Sequence, residues 1–260
     1  FHHLVCQRYF TSGVAIEPLL TFKQVVEALT AKKVDAAVMA LENSIAGSII
    51  PNYAMIDANE LHITGEYYLD VQHNLMALTG QSVAHIKEVY SHPMALLQCQ
   101  AFFDKHPHIK LVEDSDTAEV AQRIHKQQIN GIAAIASTDA AEIYQLEILA
   151  QNIQTVETNE TRFVIIERLP NPTSIINKAS LKFLLDHKRG SLAAMLNVMS
   201  DCRLNLTKIQ SLPKIDTPWK YAFFVDVTFD TLEDYEKANA IMEIMAEEFK
   251  VLGTYKNAKK

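Results

Sequence analysis

Asn159-Glu160-Thr161-Arg162-Phe163-Val164-Ile165-Ile166 sets a carboxamide, a hydroxyl and a guanidinium fork at the mouth of a β-branched run. Burial accounts for the aliphatic residues as a strand, but the polar ones need partners, because a buried polar group left unpaired costs about 1–3 kcal/mol. The segment therefore reads as a strand entrance facing a ligand that is acidic and hydroxylated. Upstream of it, short apolar runs alternate with amphipathic helical patterns. Strands are expected over 35–41, 61–69, 71–78, 87–90, 109–112, 131–136 and 162–168. Helices are expected over 22–31 and 117–127, each opened by a capping box, Thr21 with Gln24 and Asp116 with Glu119. That alternation is the signature of an α/β sheet with crossover helices.

Downstream, Leu169-Pro170-Asn171-Pro172-Thr173-Ser174 interrupts every periodic pattern, since each proline removes a donor and restricts the residue before it. The expected organisation is a first domain over 1–168, a linker over 169–178 and a second domain over 179–260. The second reads strand 179–186, helix 191–202, strands 206–212 and 221–228, helix 232–249 and strand 250–255. This βαββαβ order is ferredoxin-like.

The chain has 260 residues, 48% of them hydrophobic, with 31 acidic against 24 basic side chains and a net charge of -7. No basic cluster is available to grip a phosphate backbone, so nucleic acid is not expected as a partner. Cys6, Cys99 and Cys202 are odd in number, far apart and without a C-x-x-C pair, as expected of reduced thiols in a cytoplasmic protein. No apolar run approaches the roughly 18–20 residues that cross a bilayer, and no membrane association is expected. His2-His3 and His106-Pro107-His108 lack the i, i+4 spacing that aims two imidazoles at one ion, so no metal site is expected. Neither a G-x-G-x-x-G nor a P-loop occurs, so no nucleotide cofactor is expected either.

In an open α/β sheet, ligands bind beyond the carboxyl ends of strands, where loops lead into helix N-termini that offer free amides and partial positive charge. Three such transitions carry hydroxyls: Ser44, Gly47 and Ser48 after the strand ending at Leu41; Ser91-His92 before Pro93; and Ser137 after Ile135. Any one of these serines alone reads as an N-cap. Their repetition within one domain favours a dicarboxylate site.

The motifs carry a resemblance. Glu42-Asn43-Ser44 followed by Gly47-Ser48, Ser91-His92-Pro93 with Gln98-Cys99, the run from Ala133 to Ser137 with Ala140-Ala141 and Tyr144, and Asn159 before Thr161-Arg162-Phe163 resemble the prephenate dehydratases in order and spacing. Gly190-Ser191-Leu192, Asn205-Leu206-Thr207 and Ile209-Gln210-Ser211-Leu212-Pro213 resemble the ACT domain, an amino-acid sensor that commonly follows them. The resemblance implies a two-lobed catalytic domain like a periplasmic-binding protein, closing over prephenate, and cofactor-free loss of carbon dioxide and hydroxyl. It further implies a homodimer or homotetramer that binds L-phenylalanine. It makes Thr161 the residue that assists the departing hydroxyl and Arg162 a second catalytic candidate, with a structural ion pair as competitor. Asn43, Ser44, Gly47, Ser48, Ser91, His92, Ser137, Asn159 and Phe163 become substrate-binding candidates. Gly190, Ser191, Leu192, Asn205, Leu206, Gln210 and Ser211 become candidates for phenylalanine. Glu42, repulsive to a dianion unless paired with a cation, is expected to orient its neighbours.

Departures from the family pattern are Ala40-Leu41 for Pro-Ile, Met94 for Gln, Gln145 for Gly, and Gln210 and Leu212 for the Glu and Arg of Glu-Ser-Arg-Pro. The family's first strand is expected upstream of Phe1. Arogenate dehydratase is the nearest alternative activity, and a non-catalytic two-lobed binding module is the alternative from another class.

Overall fold

The computed structural model describes residues 1–10, 13–171, 175–214 and 220–259; the linker positions Pro172, Thr173 and Ser174 lie outside them. In chain order the elements begin with α1 (His2–Tyr9), α2 (Phe22–Thr30), β1 (Ala36–Asn43), β2 (Gly47–Ser48), α3 (Ile50–Ala58) and β3 (His62–Asp70). They continue with β4 (Asn74–Ala77), β5 (Glu88–Ser91), α4 (Pro93–Gln98), α5 (Gln100–Phe103), β6 (Lys110–Glu113), α6 (Thr117–Gln127), β7 (Ile132–Ala136), α7 (Thr138–Ile143), β8 (Glu147–Ala150) and β9 (Glu160–Glu167). The last six are β10 (Lys178–Leu184), α8 (Ser191–Asp201), β11 (Asn205–Pro213), β12 (Tyr221–Thr228), α9 (Leu232–Met245) and β13 (Glu248–Tyr255).

These elements pack into two compact units. The first comprises Phe1, Ser44–Ala46 and Leu69–Thr161; the second comprises His2–Asn43, Gly47–Tyr68 and Arg162–Lys260. The chain passes between them next to Leu69 and again between Thr161 and Arg162, besides the short excursion at Ser44–Ala46 and the step from Phe1 to His2. The expected linear boundary, by contrast, falls inside the second unit.

The first unit is built on a five-stranded sheet of order β6-β5-β7-β4-β8, in which β5 runs parallel to β6 and β7 while β4 runs antiparallel to β7 and β8. Alternation along the strands divides its two faces. Leu75, Ala77, Ala133 and Ile135 pack with Ala95, Leu96, Cys99 and Phe103 of α4 and α5. Met76, Ala134 and Ala136 pack with Val120, Ala121 and Ile124 of α6 and with Ala140 and Ala141 of α7. Asp116 caps α6 by accepting from the amides of Ala118 and Glu119. Glu119 turns its carboxylate to Ser115 instead of closing the box. The expected strand 71–78 shrinks to β4, and β8 was not expected.

The second unit holds two four-stranded sheets, of orders β2-β1-β9-β3 and β11-β12-β10-β13. The latter is antiparallel and completes the βαββαβ domain. One of its faces packs on α8 and α9 through Leu181, Phe183, Met195, Met199, Val225, Ala238 and Met242. The other contributes Leu212, Ala222, Phe224, Leu252 and Tyr255 to a cluster with Val26, Leu29, Met39, Leu41, Tyr53, Ile63 and Val164. Residues from both ends of the chain thus share one core. The approach is closest at Gly253, beside the irregularity in the β10–β13 pairing: a Cβ there would stand 1.9 Å from the Ile63 carbonyl oxygen.

One expected boundary is corrected. Helix α9 ends at Met245 rather than at 249, because Phe249 and Val251 alternate onto the core behind β13 at period two. Helices α1 and α3 were not expected. Ala40 replaces the family's proline where its amide donates to His2 Nε2 at 3.3 Å, a bond proline cannot make. Gln145 occupies the left-handed region at φ 51 just after α7, which is the conformation that favours glycine there in the family.

Candidate active site

The start of β9 is the centre of the candidate site. Ser44 N–H donates to the Glu160 carbonyl at 2.8 Å, and Ser44 Oγ accepts from Glu160 N–H at 2.9 Å. Two motifs separated by 116 residues are thereby locked side by side. The turn that presents Ser44 follows from local sequence: Asn43 pairs with Gly47 across β1 and β2, leaving Ser44, Ile45 and Ala46 as a three-residue loop. Gly47 takes φ +80, the left-handed position such a loop requires. Gly47 is therefore a turn residue, and Ser48 is its strand neighbour.

Thr161 follows Glu160 and retains 8% exposure. Asn159 is enclosed; its Nδ2 donates to Gln98 Oε1 at 3.0 Å, and its carbonyl accepts from Val71 N–H at 2.6 Å. The same Gln98 oxygen lies 2.8 Å from His73 Nε2. An amide oxygen only accepts, so His73 carries its proton on Nε2. His73 Nδ1 is buried with no partner among the described residues. Sequence reading passed over His73, since a lone histidine carries no spacing signal; only the fold brings it to Gln98. The ring is 3% exposed, and burial holds its pKa below the ordinary 6.5 against the smaller opposing effect of the Gln98 hydrogen bond.

This has a pH consequence. The folded pKa is depressed, so the neutral ring's contribution to stability is complete above pH 6.5 and declines as pH falls from there through the folded value. Thermal melts of wild type and His73→Gln between pH 7.5 and 5 should show a shallower acid decline in the variant. Equal slopes would remove His73 from the acid limb.

At the carboxyl ends of β5 and β7 stand the other hydroxyls. Ser91 is buried and donates to the Ile135 carbonyl at 2.9 Å. His92 caps α4, with Nδ1 accepting from Met94 N–H at 3.2 Å, which leaves Nε2 as the donor of the neutral ring. Ser137 caps α7, accepting from Ala140 N–H. Of Ser44, Ser91 and Ser137, only Ser137 is an N-cap; Ser91 is spent on a neighbouring strand's carbonyl and Ser44 on the start of β9.

Arg162, beside Thr161, is a different case. Its side chain is 3% exposed and its nitrogens meet Glu66 Oε2 at 2.7 Å, Asp226 Oδ2, and the Tyr255 hydroxyl at 2.8 Å. Ser180 Oγ bonds both Asp226 and Tyr255. Lys178 Nζ donates to both oxygens of Glu66, at 3.0 and 2.8 Å. Two cations face two carboxylates, so the cluster is neutral within a buried volume. Burial disfavours ionised Asp226, but the Arg162 and Lys178 charges outweigh it and hold the carboxyl below its usual range. Burial works against the Arg162 charge too, and Asp226, Tyr255 and Glu66 raise it well above its usual value. The Arg162 fork is committed to these partners, the arrangement that the ion-pair alternative describes. The Phe163 ring is enclosed and meets His2 edge-on at 4.9 Å. Glu42 has the cation it needs, Lys208, at 2.6 Å.

In the C-terminal domain, Gly190 adopts φ 85 ahead of α8, Ser191 Oγ donates to the Lys188 carbonyl at 3.0 Å, and Leu192 and Leu206 pack against the same core. Asn205, Gln210 and Ser211 lie on the edge strand β11. Leu212, at the family's arginine position, is buried in the shared core.

The class is thus defined: a two-lobed α/β domain of the periplasmic-binding-protein type with hydroxyl and amide donors at its strand ends, continued by a ferredoxin-like βαββαβ domain. Within that class, the chain belongs to the prephenate dehydratase family, whose model matches residues 1–171. It is 37% identical over 251 residues to arogenate dehydratase/prephenate dehydratase 2, chloroplastic, of Arabidopsis thaliana, covering 92% of this chain and 65% of that protein's length. A solved structure described as GqqA, a novel type of quorum quenching acylase, has a TM-score of 0.88 at 26% identity, covering 98% of this chain and 93% of the other. Prephenate dehydratase from Arthrobacter aurescens in complex with L-Phe has a TM-score of 0.83 at 25% identity, covering 93% and 81%.

Proposed function

We propose that this chain is a prephenate dehydratase, converting prephenate to phenylpyruvate, carbon dioxide and water without a cofactor. The observation that carries the reading is the pair of hydrogen bonds between Ser44 and Glu160, which holds the Asn43-Ser44 turn against the strand start bearing Thr161. As the ring carboxylate leaves, the electrons of its C–C bond enter the ring and expel the hydroxyl from the opposite carbon. Thr161 Oγ–H supports that oxygen by a hydrogen bond, the departing hydroxide takes up a proton from solvent to leave as water, and aromatisation supplies the drive. Asn43, Ser44 and His92 Nε2–H are neutral donors for the carboxylates, and Asn159 is fixed by Gln98 and His73. Arg162 acts at one remove, anchoring the strand that carries Thr161.

The C-terminal domain is read as an ACT domain that takes L-phenylalanine near Gly190–Leu192 and β11 in a homo-oligomer. The ligand of the Arthrobacter neighbour and the βαββαβ topology support this. Arogenate is the second substrate reading, on the strength of the Arabidopsis relative's name. Purified protein incubated separately with prephenate and with arogenate decides: phenylpyruvate from prephenate is the expected product. Phenylalanine from arogenate alone would transfer the assignment, and no product from either would leave a binding module.

A further inference from the structure

Lys208 belongs to β11, yet its ammonium sits on the hairpin of β1 and β2. Nζ stands 2.6 Å from Glu42 Oε1, donates to Ser48 Oγ at 2.8 Å and lies 5.8 Å from the centroid of the Tyr53 ring. The lysine side chain is 9% exposed and that of Glu42 37%. Glu42 and Ser48 are register partners at the base of the turn that carries Asn43 and Ser44, so one cation ties both legs of the loop. A strand lysine on a solvated face would keep its ammonium in water. This one gives it to a carboxylate, a hydroxyl and an aromatic face contributed by residues more than 150 positions earlier.

The electrostatic consequence is specific. Without Lys208, Glu42 would present an uncompensated negative charge one residue from the donors assigned to a substrate carboxylate. We infer that Lys208 is a positioning residue for the substrate anion: it neutralises Glu42 and fixes the hairpin so that Asn43 and Ser44 can receive a carboxylate. This rests on the reading of that turn as an anion-binding element. It also places a determinant of substrate affinity in the C-terminal domain, on the strand that holds Asn205, Gln210 and Ser211. A displacement of β11 would draw the ammonium away from Glu42.

Steady-state kinetics with prephenate on wild type, Lys208→Met, Lys208→Arg, Glu42→Gln and the Glu42→Gln/Lys208→Met double variant test it. Lys208→Met should raise KM about tenfold while kcat stays within about threefold, the pattern of lost ground-state binding. Lys208→Arg should keep most of the affinity. Glu42→Gln alone should raise KM less than about twofold, and the double variant should return KM toward wild type, because removing the carboxylate removes the need for its cation. An unchanged KM in Lys208→Met overturns the inference, as does a double variant no better than Lys208→Met. If Lys208→Met does not fold, the arginine and glutamine variants decide. A KM raised by Glu42→Gln to the level expected for lysine loss would make Glu42 a direct ligand instead and overturn it. Wild-type protein that turns over neither prephenate nor arogenate removes the functional reading, and the inference with it. Turnover with unaltered lysine variants removes the inference alone.

Discussion

Thr161→Ala is expected to lower kcat by about two to four orders of magnitude while leaving KM within a few-fold, because a donor aimed at the departing oxygen acts mainly in the transition state. Thr161→Ser should restore part of the rate. The two variants differ from each other by the hydroxyl alone, and serine differs from the native threonine by one methyl. Position matters as much as acidity. Thr161 ends the first unit and is immediately followed by a residue anchored in the buried ion cluster, while Glu160 before it is tied to Ser44. A hydroxyl gripped on both sides along the chain needs little ordering when substrate arrives. Near-normal turnover of the alanine variant, measured by phenylpyruvate release, would take Thr161 out of the mechanism.

Asp226→Asn should cost about 3–5 kcal/mol of unfolding free energy, since removing one partner of a buried ion pair leaves a charge without compensation. Arg162 and Lys178 would then share Glu66 alone, and the cluster would carry a net positive charge in a volume closed to water. Balance can be restored by subtraction. Adding Lys178→Met to Asp226→Asn leaves Arg162 with Glu66, so the double variant should be less destabilised than the sum of the single ones. Urea unfolding of the four proteins checks this. A loss below about 1 kcal/mol for Asp226→Asn would place the cluster in the range of solvated pairs.

The contrast between these two positions shows what a sequence discloses. Helix α6 could be read because its cap and apolar period are local, and β10 to β13 because alternating runs and a proline break frame them. Thr161 is a candidate through its motif. For Arg162 an ion pair could be named as an alternative, but its partners could not, because Asp226 lies 64 residues away and Glu66 96, and an ion pair between distant strands leaves no periodicity to detect. His73 and Lys208 stayed hidden for the same reason: each is an isolated polar residue until the fold supplies its partner. Helix α9 was drawn too long because Ala246, Glu247 and Glu248 suit a helix by propensity. The pairing of Leu184 with Glu248 and of Phe183 with Phe249 gives the last two of the expected helix residues to β13.

Gly253 bears on how the two halves of the chain can vary in evolution. Where its backbone meets the Ile63 carbonyl, there is no room for a single carbon, and nearby Leu252 and Tyr255 belong to the core shared with the N-terminal strands. The joint behaves like a key cut for one lock. A C-terminal domain exchanged from a relative would have to bring its own bare position to this seam, in register, or the strands bearing the site would lose the surface they close upon.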